Sequence, residues 1–238
     1  MGTTSKALEL KEIAERLVKI AANISETHDN PLPAVVPLAQ LDPRWSSKPL
    51  GKNTGRTIGS DGCALTCLTM LATMLDPSIT PDALHSVILP IGGMNGAYLA
   101  WGVIAQLYPR LVYDGMINWN GLVPESGLSK IHSCLDVCPT PLWVDYNPNT
   151  AVQDTHFVLG LEMVKDDIRI IDPIDGYTGM LRQRYGRRGQ WDLARAIYGI
   201  RMFHLAAQEQ VSFSAVQLEY DTSFPGPAPY KLDKGDLR

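Results

Sequence analysis

Apolar positions Leu10, Ile13, Leu17, Ile20 and Ile24 recur at spacings of three and four, while Lys11, Glu15, Arg16 and Lys19 fall between them. This heptad-like stripe predicts a helix from Ser5 to about Ser25 with a solvated charged face. At about two to three heptads it is too short to establish a free coiled coil, and it offers a surface for docking on the body or for self-association. The prolines of PLPAVVP then predict an extended linker. After about Ala207 the pattern fades and the chain runs into FPGPAPYKLDKGDLR, rich in Pro, Gly and charge. Residues 1–35 are therefore read as helix and linker, 36–206 as the folded domain, and 207–238 as an extended or partly disordered tail.

Inside the domain a Gly-rich loop from Leu50 to Gly62 leads into CALTCLTMLATMLD, an almost wholly apolar stretch that predicts a buried helix from Cys63 to Asp76. Thr80-Pro81-Asp82 opens a second helix, with a capping Thr, Pro at the first helical position and an acid in the first turn. A third is expected over Gly96 to Tyr108, ended by Pro109, and a short one from Leu128 to about Val137. Strands follow at Pro141–Tyr146, Thr155–Val164, Ile168–Asp172 and Ile197–Leu205, each rich in Val, Ile, Leu or aromatics and bounded by turn residues. Helices first and strands second predict an α+β domain, its N-terminal helices packed on an antiparallel sheet.

A chain of 238 residues that is 45% hydrophobic can bury a full core, and its length suits one domain plus extensions. A formal charge of -4 gives no global field favouring nucleic acid or an anionic membrane, so peptidic or small partners are expected. No apolar run reaches the roughly 18 residues that would span a bilayer, and the N-terminus lacks a signal-peptide plan. The expectation is a soluble protein, cytoplasmic as synthesised, with virion association or release by lysis left open. Cysteines fall as the pairs Cys63/Cys67 and Cys134/Cys138. Four are too sparse for a disulfide scaffold, and gaps of three residues do not suit zinc, so Cys67, Cys134 and Cys138 read as small buried apolar residues.

Cys63 differs from those three. It follows the loop IGSDG at the expected start of the most apolar helix, and a helix N-terminus stabilises a thiolate, the nucleophilic form of cysteine. Gly62 beside it has no side chain to obstruct the sulfur. A thiolate nucleophile needs a base from a distant part of the chain. Of the five histidines, His156 stands at the first turn of a core strand, THFVLGLEMV, and the next strand ends at Asp172. A turn near Lys165-Asp166-Asp167 would bring the start of one strand beside the end of the other, making His156 and Asp172 neighbours. A carboxylate there fixes the imidazole tautomer and stabilises the imidazolium. Acyl transfer also needs donors for an oxyanion, and the Gln40 amide could serve with the Cys63 backbone N–H.

Taken together, PLAQLDPRWSSKPLG, TIGSDGCALTCLTMLATML, THFVLGLE and IIDPIDG resemble the papain-like double-glycine, bacteriocin-processing peptidase family and its stand-alone relatives. The family pattern has Gln before Asp-x-x-Trp, an Ile-Gly-x-x-Gly-Cys loop, a His opening a strand, and Asp-Pro-x-x-Gly ending the next. The resemblance covers about Val36 to Leu205. It implies a papain-like fold with Gln40 as oxyanion donor, Cys63 as nucleophile, His156 as general base and Asp172 as its orienter, with no metal or organic cofactor. Cys67 departs from the small or hydroxyl residue common there, and the leader-peptide specificity of transporter-linked relatives is not carried over.

The expected reaction is hydrolysis of an amide bond in a protein, a precursor peptide or a peptidoglycan stem peptide, the last of which suits a lysin-like protein. A non-catalytic module that keeps the fold, such as a virion component, and an acyl transferase using the same thioester stand as rivals. His28, His85, His132 and His204 read as surface or satisfied core, and Trp45, Trp101, Trp119 and Trp143 as core or subsite. Asp145-Tyr146-Asn147 reads as a strand end. Arg182, Arg184, Arg187 and Arg188 around Tyr185 read as a solvated loop and the one local positive patch.

Overall fold

The computed structural model describes residues 32–119, 122–145, 155–185, 192–207 and 220–221, and every element below lies in the unit Ala34–Arg238. The stripe at Ser5–Ser25, His28, Arg187, Arg188, Tyr146, Asn147 and the tail beyond 207, apart from Tyr220 and Asp221, lie outside the described residues. Among the described residues no helix is long and apolar enough to cross a membrane.

Helix α1 (Ile58–Asp61) closes the Gly-rich loop, and Thr57 and Ser60 cap it reciprocally, each side chain accepting from the other's backbone N–H. One residue later α2 (Cys63–Ala72) begins; nine of its ten residues are buried, because a helix apolar all round must be enclosed. In α3 (Pro81–Ile88) proline sits in the first turn as expected, but Thr80 does not cap with its side chain: its hydroxyl donates to the Asp82 carboxylate at 2.7 Å.

The expected helix over Gly96–Tyr108 is corrected by the structure. Strands β1 (Met94–Asn95) and β2 (Tyr98–Leu99) form a small hairpin there, followed by a 3₁₀ helix at Trp101–Gln106. Gly96 has φ +59, the left-handed conformation that a two-residue hairpin turn requires and that an α-helix cannot use. The apolar run has the composition of a buried helix without its hydrogen bonding.

Six antiparallel strands form the main sheet, in the order β3-β8-β4-β5-β6-β7. They are β3 (Leu111–Asn118), β4 (Thr140–Asp145), β5 (Thr155–Val164), β6 (Asp167–Asp172), β7 (Tyr177–Met180) and β8 (Ile197–Leu205). The domain is thus α+β with an antiparallel sheet, as the sequence predicts, but helices cover both faces of that sheet. Phe157, Leu159 and Ile171 join a core with Leu65, Leu68 and Leu84 of α2 and α3. Val158, Ile170 and Ile200 join another with Ile131 and Leu135 of α4 (Glu125–Leu135), and with Leu181 and Tyr185 of α5 (Leu181–Tyr185). A sheet covered on both sides buries consecutive positions of its central strands, and all six residues of β4 are buried. The edge strands β3 and β7 were not anticipated. In β3 the register shifts between Tyr113 and Gly115, with Gly115 at φ +105, and this bulge hides the alternation that would mark a strand.

Gly62, between α1 and α2, sets how closely the Cys63 helix follows the loop. A Cβ there would stand 2.3 Å from the Ile58 carbonyl oxygen, which accepts the Gly62 N–H at 2.8 Å. Gly62→Ala should therefore lose about 1–3 kcal/mol in urea unfolding, the usual range for overpacking a tight site. A variant as stable as the parent would show that this junction is not tightly packed.

Candidate active site

Cys63 is the first residue of α2 and is 1% exposed. The first-turn N–H groups of a helix have no intrahelical acceptors and carry the positive end of its dipole, so they offer donors beside this residue. Helix α2 packs directly on β5, the strand that carries His156.

Strands β5 and β6 pair antiparallel through a tight turn at Lys165, which has φ +59. Leu159 lies opposite Ile171, so Asp172 falls across from Val158, diagonal to His156 on the neighbouring strand. His156 Nε2 lies 2.9 Å from Asp172 Oδ1, with both side chains fully shielded from solvent. Asp172 thus engages Nε2 and not Nδ1, and the Cys63 side chain lies close enough to the ring to add to the shift in its pKa. Burial alone would lower the pKa of His156; the charge and hydrogen bond of Asp172, joined by the Cys63 contact, overcome this and raise it to about 9. The chain thus brings together Cys63, His156 and Asp172 from a helix start, a strand start and a strand end.

Two further residues complete the site. Asp172 Oδ1 also accepts the Ile174 N–H at 3.0 Å, while Oδ2 accepts Arg184 Nε at 2.9 Å and the Tyr185 hydroxyl at 2.5 Å. Burial pushes the Asp172 carboxyl up, but the His156 charge and these hydrogen bonds hold it well below the usual carboxylate range. Arg184 Nη2 adds an ion pair to Asp175 at 2.8 Å. The basic cluster is thus not simply a solvated patch. Arg184 and Tyr185 face inward from α5 onto the acid, while Arg182 pairs with exposed Asp166 at 2.8 Å.

Gln40 is 1% exposed and links the two halves of the site. Its backbone N–H donates to the Pro173 carbonyl at 2.5 Å, next to Asp172, and its side-chain Nε2 donates to the Gly59 carbonyl at 2.9 Å, in the loop before Cys63. Gln40 Oε1 is buried with no hydrogen-bond partner among the described residues. Trp45 is fixed in the same turn through its Nε1–H to the Ala39 carbonyl at 2.8 Å. The Gln and Trp of this stretch therefore act as a brace between the Asp172 turn and the loop before Cys63.

A cleft at Cys63 is lined by Asp61, Ala64, Tyr98, Leu99, Trp101 and Asp221 among others. The cavity measures about 20 Å³, room for about one water and too little for an amino-acid side chain.

No protein-family model, curated protein or solved structure matches this chain at a significant level.

The other histidines and cysteines make no hydrogen bond to this cluster among the described residues. His85 is buried and its Nε2 accepts the Gly51 N–H at 2.9 Å, which makes it a satisfied core residue. His132 pairs with Asp136 and His204 with Asp114, both at exposed positions. Cys67, Cys134 and Cys138 are free and buried, and burial raises each thiol pKa, that of Cys138 to about 12. Asp145 accepts the Tyr198 hydroxyl at 2.8 Å, and Trp101, at the cleft, is fully buried. Arg184, Tyr185 and Asp221 were not assigned to the site from sequence. Nothing marked Tyr185 beyond its place among the arginines, and Asp221 lies in the Pro- and Gly-rich tail.

The two shifted groups fix a dependence of stability on pH. His156, raised from 6.5 to about 9, contributes stability that is complete below pH 6.5 and lost as pH climbs through about 9. Asp172, lowered from 3.8, contributes stability present above pH 3.8 and lost as pH falls further. Urea midpoints should be highest between pH 3.8 and 6.5 and decline towards about pH 9. Asp172→Asn should flatten the alkaline decline and cost about 3 kcal/mol or more, since it breaks a buried pair. An Asn variant that kept the full decline would contradict the pairing.

Proposed function

We propose that this chain is a cysteine-dependent amide hydrolase of papain-like architecture, acting through a thioester acyl-enzyme. The observation that supports the reading is the buried His156–Asp172 pair at 2.9 Å with the Cys63 side chain beside the ring, drawn from three separate segments. With the proton already held on His156, the Cys63 sulfur attacks the substrate carbonyl carbon. The oxyanion takes hydrogen bonds from the Cys63 backbone N–H and from the Gln40 amide, whose NH₂ group has a second N–H besides the one given to Gly59. The imidazolium then protonates the leaving amine. Water attacks the thioester with His156 as base, which takes up the water proton as the acid is released and restores the starting Cys63–His156 pair. Asp172 keeps its hydrogen bond to Nε2 throughout, which leaves Nδ1 to exchange the proton with sulfur.

The substrate class is a protein, a precursor peptide or a peptidoglycan stem peptide. Peptide and peptidoglycan digests separated by mass should reveal the cleaved bond. Cys63→Ala should lower turnover at least about a thousandfold, as removal of a nucleophile does elsewhere, while its unfolding curve stays close to that of the parent. Cys138→Ala should keep activity, because Cys138 is a buried core thiol. Turnover retained in the Cys63 variant would rule out this chemistry, and a folded parent inert on every substrate would favour a binding module.

A further inference from the structure

Tyr220 and Asp221 contact the body of the protein beside the nucleophile. The Tyr220 hydroxyl donates to the Gly92 carbonyl at 2.8 Å, and the Asp221 N–H donates to the Leu99 carbonyl at 3.1 Å. Asp221 lines the same cleft as Cys63, Ala64 and Leu99. Its Oδ2 accepts from Trp101 Nε1 at 3.0 Å and from Arg201 Nε at 2.6 Å, with Arg201 Nη2 at 2.5 Å. Arg201 is fully buried on β8, its guanidinium 5.0 Å from the Phe157 ring, and it does not itself line the cleft. Asp221, 4% exposed, stands between the cleft and that cation.

A main-chain N–H bonded to a short strand, together with one side chain anchored in a pocket, is the way a protein reads an extended peptide. Here the reading side is the carbonyl of Leu99 on β2 and the anchored group is a carboxylate. A fully buried guanidinium strongly favours an anion at this place, because charge enclosed without a counter-charge is unfavourable. An indole N–H beside it adds a directed donor. The corner is therefore built for an acidic side chain, and the ligand it holds is part of the chain itself.

We propose that the Trp101–Arg201 corner of the cleft is a subsite for an acidic side chain of an extended peptide substrate, and that the Tyr220–Asp221 segment fills it as a tethered competitor beside Cys63. The inference rests on Cys63 being the nucleophile of an amide hydrolase. It accounts for the small cavity at Cys63: the segment that lines the cleft occupies the path a substrate would take. Acidic peptides enter by displacing it, and any partner that draws the tail away raises activity.

The test is the rate at which iodoacetamide labels Cys63, read at that residue by mass spectrometry in the folded full-length chain. Asp221→Asn should label about tenfold faster or more than the parent, as expected when the open population rises by that factor. Tyr220→Phe, which loses only the tether to Gly92, should shift the same way by less. A peptide with the sequence of residues 217–224 should restore protection to the Asp221→Asn protein, and the same peptide carrying Asp221→Asn should not. Thermal melts separate opening from unfolding, and if Asp221→Asn unfolds, Tyr220→Phe and the two peptides carry the comparison. Equal labelling of parent and variants, or protection by both peptides alike, overturns the inference while a reactive Cys63 leaves the nucleophile reading intact. A Cys63 that stays inert in every folded form, yet labels once unfolded, overturns the nucleophile reading and this inference with it.

Discussion

The carboxylate of Asp172 is fully buried, and the geometry of the site follows from the need to satisfy it. An ionised acid in that environment is tolerable only with complete hydrogen bonding and opposite charge. Its donors come from β5 (His156), from the turn after β6 (Ile174) and from α5 (Arg184 and Tyr185). The excursion through β7 must therefore fold back to bring α5 over the end of β6. Removing any one donor leaves an unmet demand on the carboxylate, so the imidazole is held in one position whether or not a substrate is present.

Cys63 is brought beside that imidazole by a different set of constraints. Apolar packing seats α2 on β5, and the reciprocal Thr57–Ser60 cap with the close Gly62 junction fixes where α2 begins. Gln40 then joins this loop to the Asp172 turn by one backbone and one side-chain hydrogen bond. Helix start, strand start and strand end are thus cross-braced by rigid elements, the arrangement a site needs when its reacting atoms must stay within tenths of an ångström. The C-terminal contact at Asp221 adds a buried charge pair at the cleft, opposite in kind to the apolar packing around Cys63.

How far this was legible in the sequence depends on the range of the interactions. His156 and Asp172 could be paired because a hairpin relates them through sixteen residues and one turn, so local strand rules suffice. Cys63 stood out because a Gly-rich loop meets an apolar helix there. Arg184 and Tyr185 could not be placed, since a five-residue helix after a four-residue strand is too short to show a period. Their direction comes from Asp172, a tertiary partner. The hairpin at Gly96 was read as helix because its neighbours are apolar, and the bulge at Gly115 broke the alternation of β3. Asp221 was assigned to the tail because its burial depends on Arg201 and Trp101, neither of which its local sequence reveals.

The His156 ring carries its proton at neutral pH because the Asp172 carboxylate and the Cys63 side chain favour the charged imidazole. Nitrogen-15 NMR of the imidazole, titrated in the parent and in Cys63→Ala, reads this directly. The ring should be doubly protonated and titrate near pH 9 in the parent and at lower pH in the variant, since the sulfur is one of the causes of the shift. A His156 that titrates at or below its ordinary value of 6.5, with no response to loss of the thiol, would contradict it.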